Sequence, residues 1–420
     1  MVYFTFFPSP EAVPVDITKK EDRIIVRISI VLSSILLLLT ACQNDPDPTG
    51  IGLVPGGDVV TAERFDSQTD SSEIRADTYV FRANHAGTTV LSVGEAEGIR
   101  STTLLRWLYF NVDSSLAYGG RIVSATVRLR SMPYHVGDIN APFSMELHEI
   151  TSFWNAFTVT ADSLNQGSPT TGAVAGMFQG TFGETDSIDI PIDTALVRRW
   201  MHNSFEVDYA SNHGLMLQTA AAQSGIIRSF QSLDPSNASP PRLTVIIENA
   251  GVLDTIVGES ADNTTLCDGP LHENAGRIVL QSGISIRGRL IFDMSAIPAA
   301  SIINHATLYL SRDDALSTKY YRGADSVLVY ESVDSIANTL NSTGVITRTD
   351  SELPGVLIAE GVPVTRAVQN WVNRKGNHGF ILVPMYELSD IDRMALYGAD
   401  APADKRPRLV VTYTTKPDLP

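Results

Sequence analysis

The sequence predicts an all-β protein built as two tandem antiparallel β-sandwiches, each with one short helix. A duplication carries most of that reading. Thr365, Val368 and Trp371 are followed by Asn377-His378-Gly379-Phe380-Ile381-Leu382 and then by Pro407-Arg408-Leu409-Val410-Val411. The same phrase stands earlier as Thr194, Val197 and Trp200, then Asn212-His213-Gly214-Leu215-Met216-Leu217, then Pro241-Arg242-Leu243-Thr244-Val245. Repetition of a whole unit means two copies of one domain. The second observation is the many short β-branched and aromatic runs, separated by Gly, Pro and Asn, that mark the strands and turns of a sandwich. The third is the alternation of apolar and polar residues in Ala125-Thr126-Val127-Arg128-Leu129-Arg130, the pattern of a strand with one buried face.

The totals agree. At 420 residues there is room for two or three domains, and 43% hydrophobic with 19% charged residues is the composition of a chain that builds real cores. A formal charge of −16 makes nucleic acid a poor partner, since phosphate binding needs a basic stripe. The bland meaning of this acidity is solubility.

Residues 1–41 read as a lipoprotein signal segment. Lys19, Lys20, Arg23 and Arg27 precede the apolar run Ile28–Leu39, which is too short for a span of ~20 apolar residues. The ending Leu39-Thr40-Ala41-Cys42 resembles the bacterial lipoprotein box, in which the cysteine is acylated and becomes the new N-terminus. Gln43 after it, by the same resemblance, favours the outer membrane, on its periplasmic side or at the cell surface. Residues 1–18, aromatic and proline-bearing, fit no part of such a signal, which reads as a start placed too early. From 42 to 70 the Pro, Gly and Asp clusters read as a flexible tether. With Cys42 committed to lipid, Cys267 is left as a single, structural thiol.

The first repeat covers 71–248. Strands are expected at Thr78–Phe81, Thr89–Val93, Leu104–Asn111, Ala125–Arg130, Ser144–Ile150, Ser187–Ile192, Gly214–Leu217, Ile226–Phe230 and Arg242–Ile247. Thr194 caps a helix to Met201, whose Val197 and Trp200 lie three apart on one face. The second repeat covers 256–414, with Leu290-Ile291-Phe292-Asp293 standing where Leu108-Tyr109-Phe110-Asn111 stood. The linker Asn249–Thr255 is too short for free tumbling.

Ala76-Asp77-Thr78-Tyr79-Val80, Leu91-Ser92-Val93-Gly94, Leu290 through Pro298, and Pro407-Arg408-Leu409-Val410-Val411-Thr412-Tyr413 resemble the DNRLRE, or disaggregatase-related, domain family. That family is similar to jelly-roll carbohydrate-binding modules on secreted proteins. The resemblance implies jelly-roll-like sandwiches and non-catalytic binding of a polysaccharide or other glycan. The first copy departs in having Asp113-Ser114-Ser115-Leu116 in place of the Ser295-Ala296-Ile297-Pro298 turn, and in an insertion-like stretch, Phe153–Phe182.

Candidate chemistry is sparse. Asn-His-Gly before a strand reads as a turn in both copies. His148-Glu149 are strand neighbours and face opposite sides. No paired-His metal spacing, phosphate loop or serine elbow occurs, no catalytic residue stands out, and no cofactor is implied beyond a structural calcium with Asp77 and Asp262 as its candidate ligands. Trp200 and Trp371 read as core plugs. If Leu108 and Phe110 face the core like Leu290 and Phe292, period two turns Trp107 and Tyr109 outward, with Arg128 and Arg130 outward on the next strand. These four form the candidate glycan site, an aromatic platform beside two arginines fit for a uronate carboxylate. A cover over the aromatics is the bland alternative. The rival functions are a structural or adhesive surface protein without a glycan site, and a lyase or glycosidase, which would need convergent acid and base groups. If Cys42 is the acylated residue, Cys42→Ser releases the protein from the membrane fraction or leaves it unprocessed, as fractionation and intact mass will report.

Overall fold

The computed structural model describes residues 62–415 apart from 71, 82, 111, 204, 206–211, 221–224, 272–275, 321–325, 335 and 374, together with the side chains of 108, 109, 259 and 260. The signal segment, Cys42 and most of the tether lie outside the described residues. The tether expected to run to 70 ends sooner, because Ala62–Asp66 is already a strand.

Strands β1 (Ala62–Asp66) and β2 (Ile74–Val80) come first. They are followed by β3 (Val90–Ala96), β4 (Ile99–Phe110), β5 (Arg121–Val136), β6 (Phe143–Ile150), β7 (Thr171–Gly180), β8 (Ser187–Pro191), β9 (Leu215–Thr219), β10 (Ile226–Gln231), β11 (Arg242–Asn249) and the long β12 (Val252–Asp268). The last ten are β13 (Arg277–Gln281), β14 (Ile286–Phe292), β15 (Ile302–Ser311), β16 (Val327–Asp334), β17 (Thr339–Ile346), β18 (Arg348–Thr349), β19 (Val356–Glu360), β20 (Phe380–Pro384), β21 (Arg393–Tyr397) and β22 (Arg408–Thr414). All pairings between them are antiparallel, and the all-β sandwich class stands.

In the first sandwich the strand path runs β12-β11-β5-β10-β3-β4-β9-β6-β7, with β8 on β5, and β12 pairs again with β4. The second has a five-stranded sheet, β1-β22-β15-β19-β18, and a seven-stranded one, β17-β16-β20-β14-β13-β21 with β2 on β14. Each encloses one apolar core. The first gathers Leu105, Val127, Leu129, Trp200 and Val245, and the second Leu290, Phe292, Leu308, Trp371 and Leu409. Helices Thr194–Asn203 and Val362–Val372 present Trp200 and Trp371 to these cores, with the indoles 1% and 5% exposed, as the helical spacing of Val and Trp requires. The Asp113-Ser114-Ser115-Leu116 departure forms a helix, Ser114–Gly119, whose N-cap Asp113 accepts from the Leu116 N–H.

The pairing does not follow the repeat boundaries. β1, from the stretch read as tether, and β2, which opens the first repeat, lie in the second sandwich: Ala62–Asp66 pairs with Val410–Thr414, and Ile74–Val80 with Ile286–Phe292. β12, which opens the second repeat, lies in the first sandwich, on β11 through Val252–Gly258 and on β4 through Gly258–Asp268. The repeats have exchanged their leading strands within one chain. What the sequence offered as a linker, Asn249–Thr255, is a hairpin turning at Ala250 and Gly251, both with positive φ (51° and 83°).

A third apolar cluster seals the junction. Ile99, Tyr134, Val136 and Ile227 from the first sandwich meet Ile284, Ile286 and Ile391 from the second. Tyr134 Oη accepts the Ile391 N–H at 2.6 Å and donates to Asp392 Oδ1 at 3.3 Å. Cys267 is buried here, and burial pushes its thiol up to about 11, as suits a structural residue. His85 is also buried, and desolvation holds its imidazole below the usual histidine range. Because β1 and β2 complete a sandwich at the other end of the sequence, deleting residues up to 80 should open protease sites within 277–414 before sites within 90–249. Limited proteolysis with mass mapping reads this, and the opposite order would refute the exchange.

Candidate functional site

The residues singled out from sequence do not converge. Trp107 is 0% exposed, inside the first core beside Leu105 and Val127. The cause is a pair of irregularities in the β12–β4 ladder. Tyr109 faces Glu259 while Trp107 faces Ser260, so β4 has one residue, Leu108, in excess over β12 at that point. A one-residue bulge flips the phase of the strand, and Trp107 and Phe110 then face the same core. The true counterpart of Phe292 is therefore Trp107 and not Phe110. Asn212 Nδ2 donates to the Trp107 carbonyl as Asn377 Nδ2 donates to that of Phe292, the latter at 2.7 Å. The Tyr109 side chain lies outside the described residues.

Arg128 and Arg130 do point outward on β5, as period two requires. Arg128 forms a bidentate pair with Asp189 on β8, at 2.6 and 2.7 Å, and Arg130 reaches Ser187 Oγ at 3.4 Å. With the indole turned inward and the arginines outward, no platform forms. Asp77 and Asp262 each face an arginine across an exchanged strand, Asp77 with Arg289 and Asp262 with Arg106. Each of these carboxylates thus has a guanidinium as its partner.

Both Asn-His-Gly sequences are structural. The asparagine amides cap strand carbonyls, and Gly214 and Gly379 have φ of +85° and +80°. A Cβ at Gly214 would fall 2.0 Å from the Leu105 carbonyl oxygen, and one at Gly379 2.4 Å from that of Leu290. His148 and Glu149 diverge as expected. His148 meets Glu146 at 3.0 Å, and Glu149 accepts from Arg199 at 2.8 Å.

The structure offers another site, on the outer face of the seven-stranded sheet. Alternation along β16 sends Val327 and Val329 into the core and leaves Leu328 and Tyr330 outside. Tyr330 is opposite Gly344 on β17, and a Cβ there would fall 2.5 Å from Tyr330 Cε1, so the glycine lets the ring lie across the strand. Leu328, Leu340, Val383 and Pro384 give an apolar floor, Tyr386 and Ser389 a wall, and Gly87–Thr89 the opposite rim. The groove they enclose measures ≈ 430 Å³, within the ~300–1,000 Å³ of small-molecule sites.

Its end is closed by Arg287 and Glu387. Arg287 Nε and Nη2 donate to the two Glu387 oxygens at 2.7 and 2.8 Å, and the guanidinium stacks 3.4 Å from the Phe81 ring centroid. Tyr79, the ladder partner of Arg287 on the exchanged β2, has its hydroxyl raised above the usual tyrosine range by burial. The β16 alternation was readable from sequence. The groove was not, because its rim and its arginine wall depend on strands from opposite ends of the repeat pattern.

No family model matches the chain, and no curated protein matches it. Among solved structures, the C-terminal domain of the Streptococcus pyogenes antigen I/II-family protein AspA aligns over 82% of this chain and 92% of that one, at 10% identity and a TM-score of 0.14. Overlap that slight shows no shared fold. Among the described residues no helix is long and apolar enough to cross a membrane.

Trp107→Ala should behave as a core truncation, lowering unfolding free energy by about 3–5 kcal/mol. Urea denaturation measures it. A variant as stable as wild type would return Trp107 to the surface.

Proposed function

We propose that this chain is an envelope-anchored, non-catalytic glycan-binding protein whose saccharide site is the groove on the second sandwich. The observation that carries the reading is Tyr330, laid flat over Gly344 above an apolar floor and beside a charged pair. A sugar ring has one apolar C–H face, which stacks on an aromatic ring, and hydroxyls at its edge, which seek polar partners. Tyr330 and the floor suit the face, Tyr386 and Ser389 line the same groove with hydroxyls for the edge, and the buried Arg287–Glu387 pair closes its end.

The charge balance favours an uncharged saccharide. Arg287 is neutralised by Glu387, and the outward arginines Arg289 and Arg128 by Asp77 and Asp189. A polyuronate would approach a surface of net negative charge with these guanidinium groups already occupied. Both Glu387 oxygens accept from Arg287, an arrangement suited to a binding wall and unlike the separated carboxylate pair of a glycosidase. A lipid anchor at Cys42 supplies the envelope address, and β1 belongs to the groove-bearing sandwich.

Calorimetry of the lipid-free chain from Gln43, with neutral and uronate oligosaccharides, tests the assignment. Tyr330→Ala should weaken neutral-glycan binding by at least about fivefold, roughly 1 kcal/mol, with the thermal midpoint little changed. Binding unaffected by that change, or binding of uronates alone, would remove the groove from consideration.

A further inference from the structure

The insertion-like stretch of the first sandwich carries two aromatic rings that the cores do not take up. Phe153 and Phe157 are 67% and 73% exposed, while their neighbours Trp154, Ala156 and Val159 fill a buried cluster with Leu104, Ile150, Met216 and Leu266. Single exposed apolar side chains are ordinary on protein surfaces. Here two rings stand on a backbone fixed from several sides. Trp154 Nε1 donates to the His213 carbonyl at 2.7 Å, and the Phe157 N–H donates to Asn155 Oδ1 at 2.8 Å. Arg106, itself paired with Asp262, lies 5.9 Å from the Phe153 ring centroid and 5.4 Å from that of Trp154.

One side chain links this loop to the groove. Asn84 Oδ1 accepts from the Ala86 N–H at 2.8 Å, and Asn84 Nδ2 donates to the Ala156 carbonyl at 2.7 Å and the Val159 carbonyl at 3.3 Å. Ala86 in turn is both a residue of the groove rim and a neighbour of the cluster beneath the loop. From Asn84 to Thr89 the chain covers at most about 20 Å, so the rim lies within that reach of the loop backbone that Asn84 holds.

We infer that the groove and the Phe153–Phe157 loop form one extended site, which takes the interior of a long, uncharged glycan chain and spans both sandwiches. The inference rests on the groove reading. Tyr330 receives one sugar face, and a chain leaving the groove over the Ala86 rim meets the phenylalanine rings, which have no hydrogen-bonding group and offer only stacking. A loop backbone already fixed before binding loses little freedom when a ligand arrives, so each stacked unit adds affinity. The partner is thus a polymer and not a terminal sugar.

The test uses the whole lipid-free chain and xylo-, cello- and manno-oligosaccharides of increasing length, from dimer to hexamer, by calorimetry. Affinity for the recognised series should climb at least fivefold between trimer and hexamer. Phe157→Ser, at a site exposed enough not to disturb folding, should abolish that climb and leave the trimer affinity as in wild type. Equal affinity for trimer and hexamer, or a Phe157→Ser variant that binds hexamer like wild type, overturns the extended site while leaving the groove intact. If wild type binds none of the three series at any length, the groove assignment falls and the extended site with it.

Discussion

The exchange of leading strands is the constraint on which the rest of this molecule depends. β12 runs from the edge of β11 to the edge of β4 without a break, and so holds the first sandwich shut with residues from the start of the second repeat. β2 does the reverse, lying on β14. Each sandwich takes main-chain hydrogen bonds and apolar area from the other's segment, which makes their stabilities interdependent. Tyr134 and the isoleucines around it then fill the space that the two crossing segments leave. Two independent domains on a string would have had neither this seam nor the groove beside it.

The groove follows from that seam. Its rim, Ala86–Thr89, is the connection carrying the chain from β2 in one sandwich to β3 in the other. Arg287 is held by Glu387, by Phe81 just after β2, and by its ladder position opposite Tyr79. A buried ion pair of this kind adds little net stability but is costly to break on one side, by roughly 3–5 kcal/mol. It stands as a fixed polar wall at the end of the groove, which the hydroxyl-rich ligand proposed for it would need for selectivity.

The two Asn-His-Gly turns show why the molecule keeps its repeated phrase. Each asparagine caps the carbonyl of a core aromatic, and each glycine lets the backbone approach the neighbouring strand more closely than any Cβ allows. Motifs that look chemical in a sequence here set register. They also identify Trp107 as the partner of Phe292, which comparison of the apolar runs alone misplaced by three residues.

By itself the sequence determined the all-β class, the twofold repeat, the tryptophan-bearing helices, the outward face of Arg128 and Arg130, and the turn role of Asn-His-Gly. The repeat is read from the recurrence of one phrase, and the others follow from periods of 2 and 3.6 and from glycine geometry, which act within a few residues. Tertiary structure alone decided which sheet β1, β2 and β12 would join, since strand partners far apart in the chain leave no mark in local alternation. It also decided the fate of Trp107. One surplus residue in β4, visible only against β12, reverses the alternation and turns a surface aromatic into a core one. A period of two states that neighbours face opposite ways. Which way each one faces is settled by the strand on the other side.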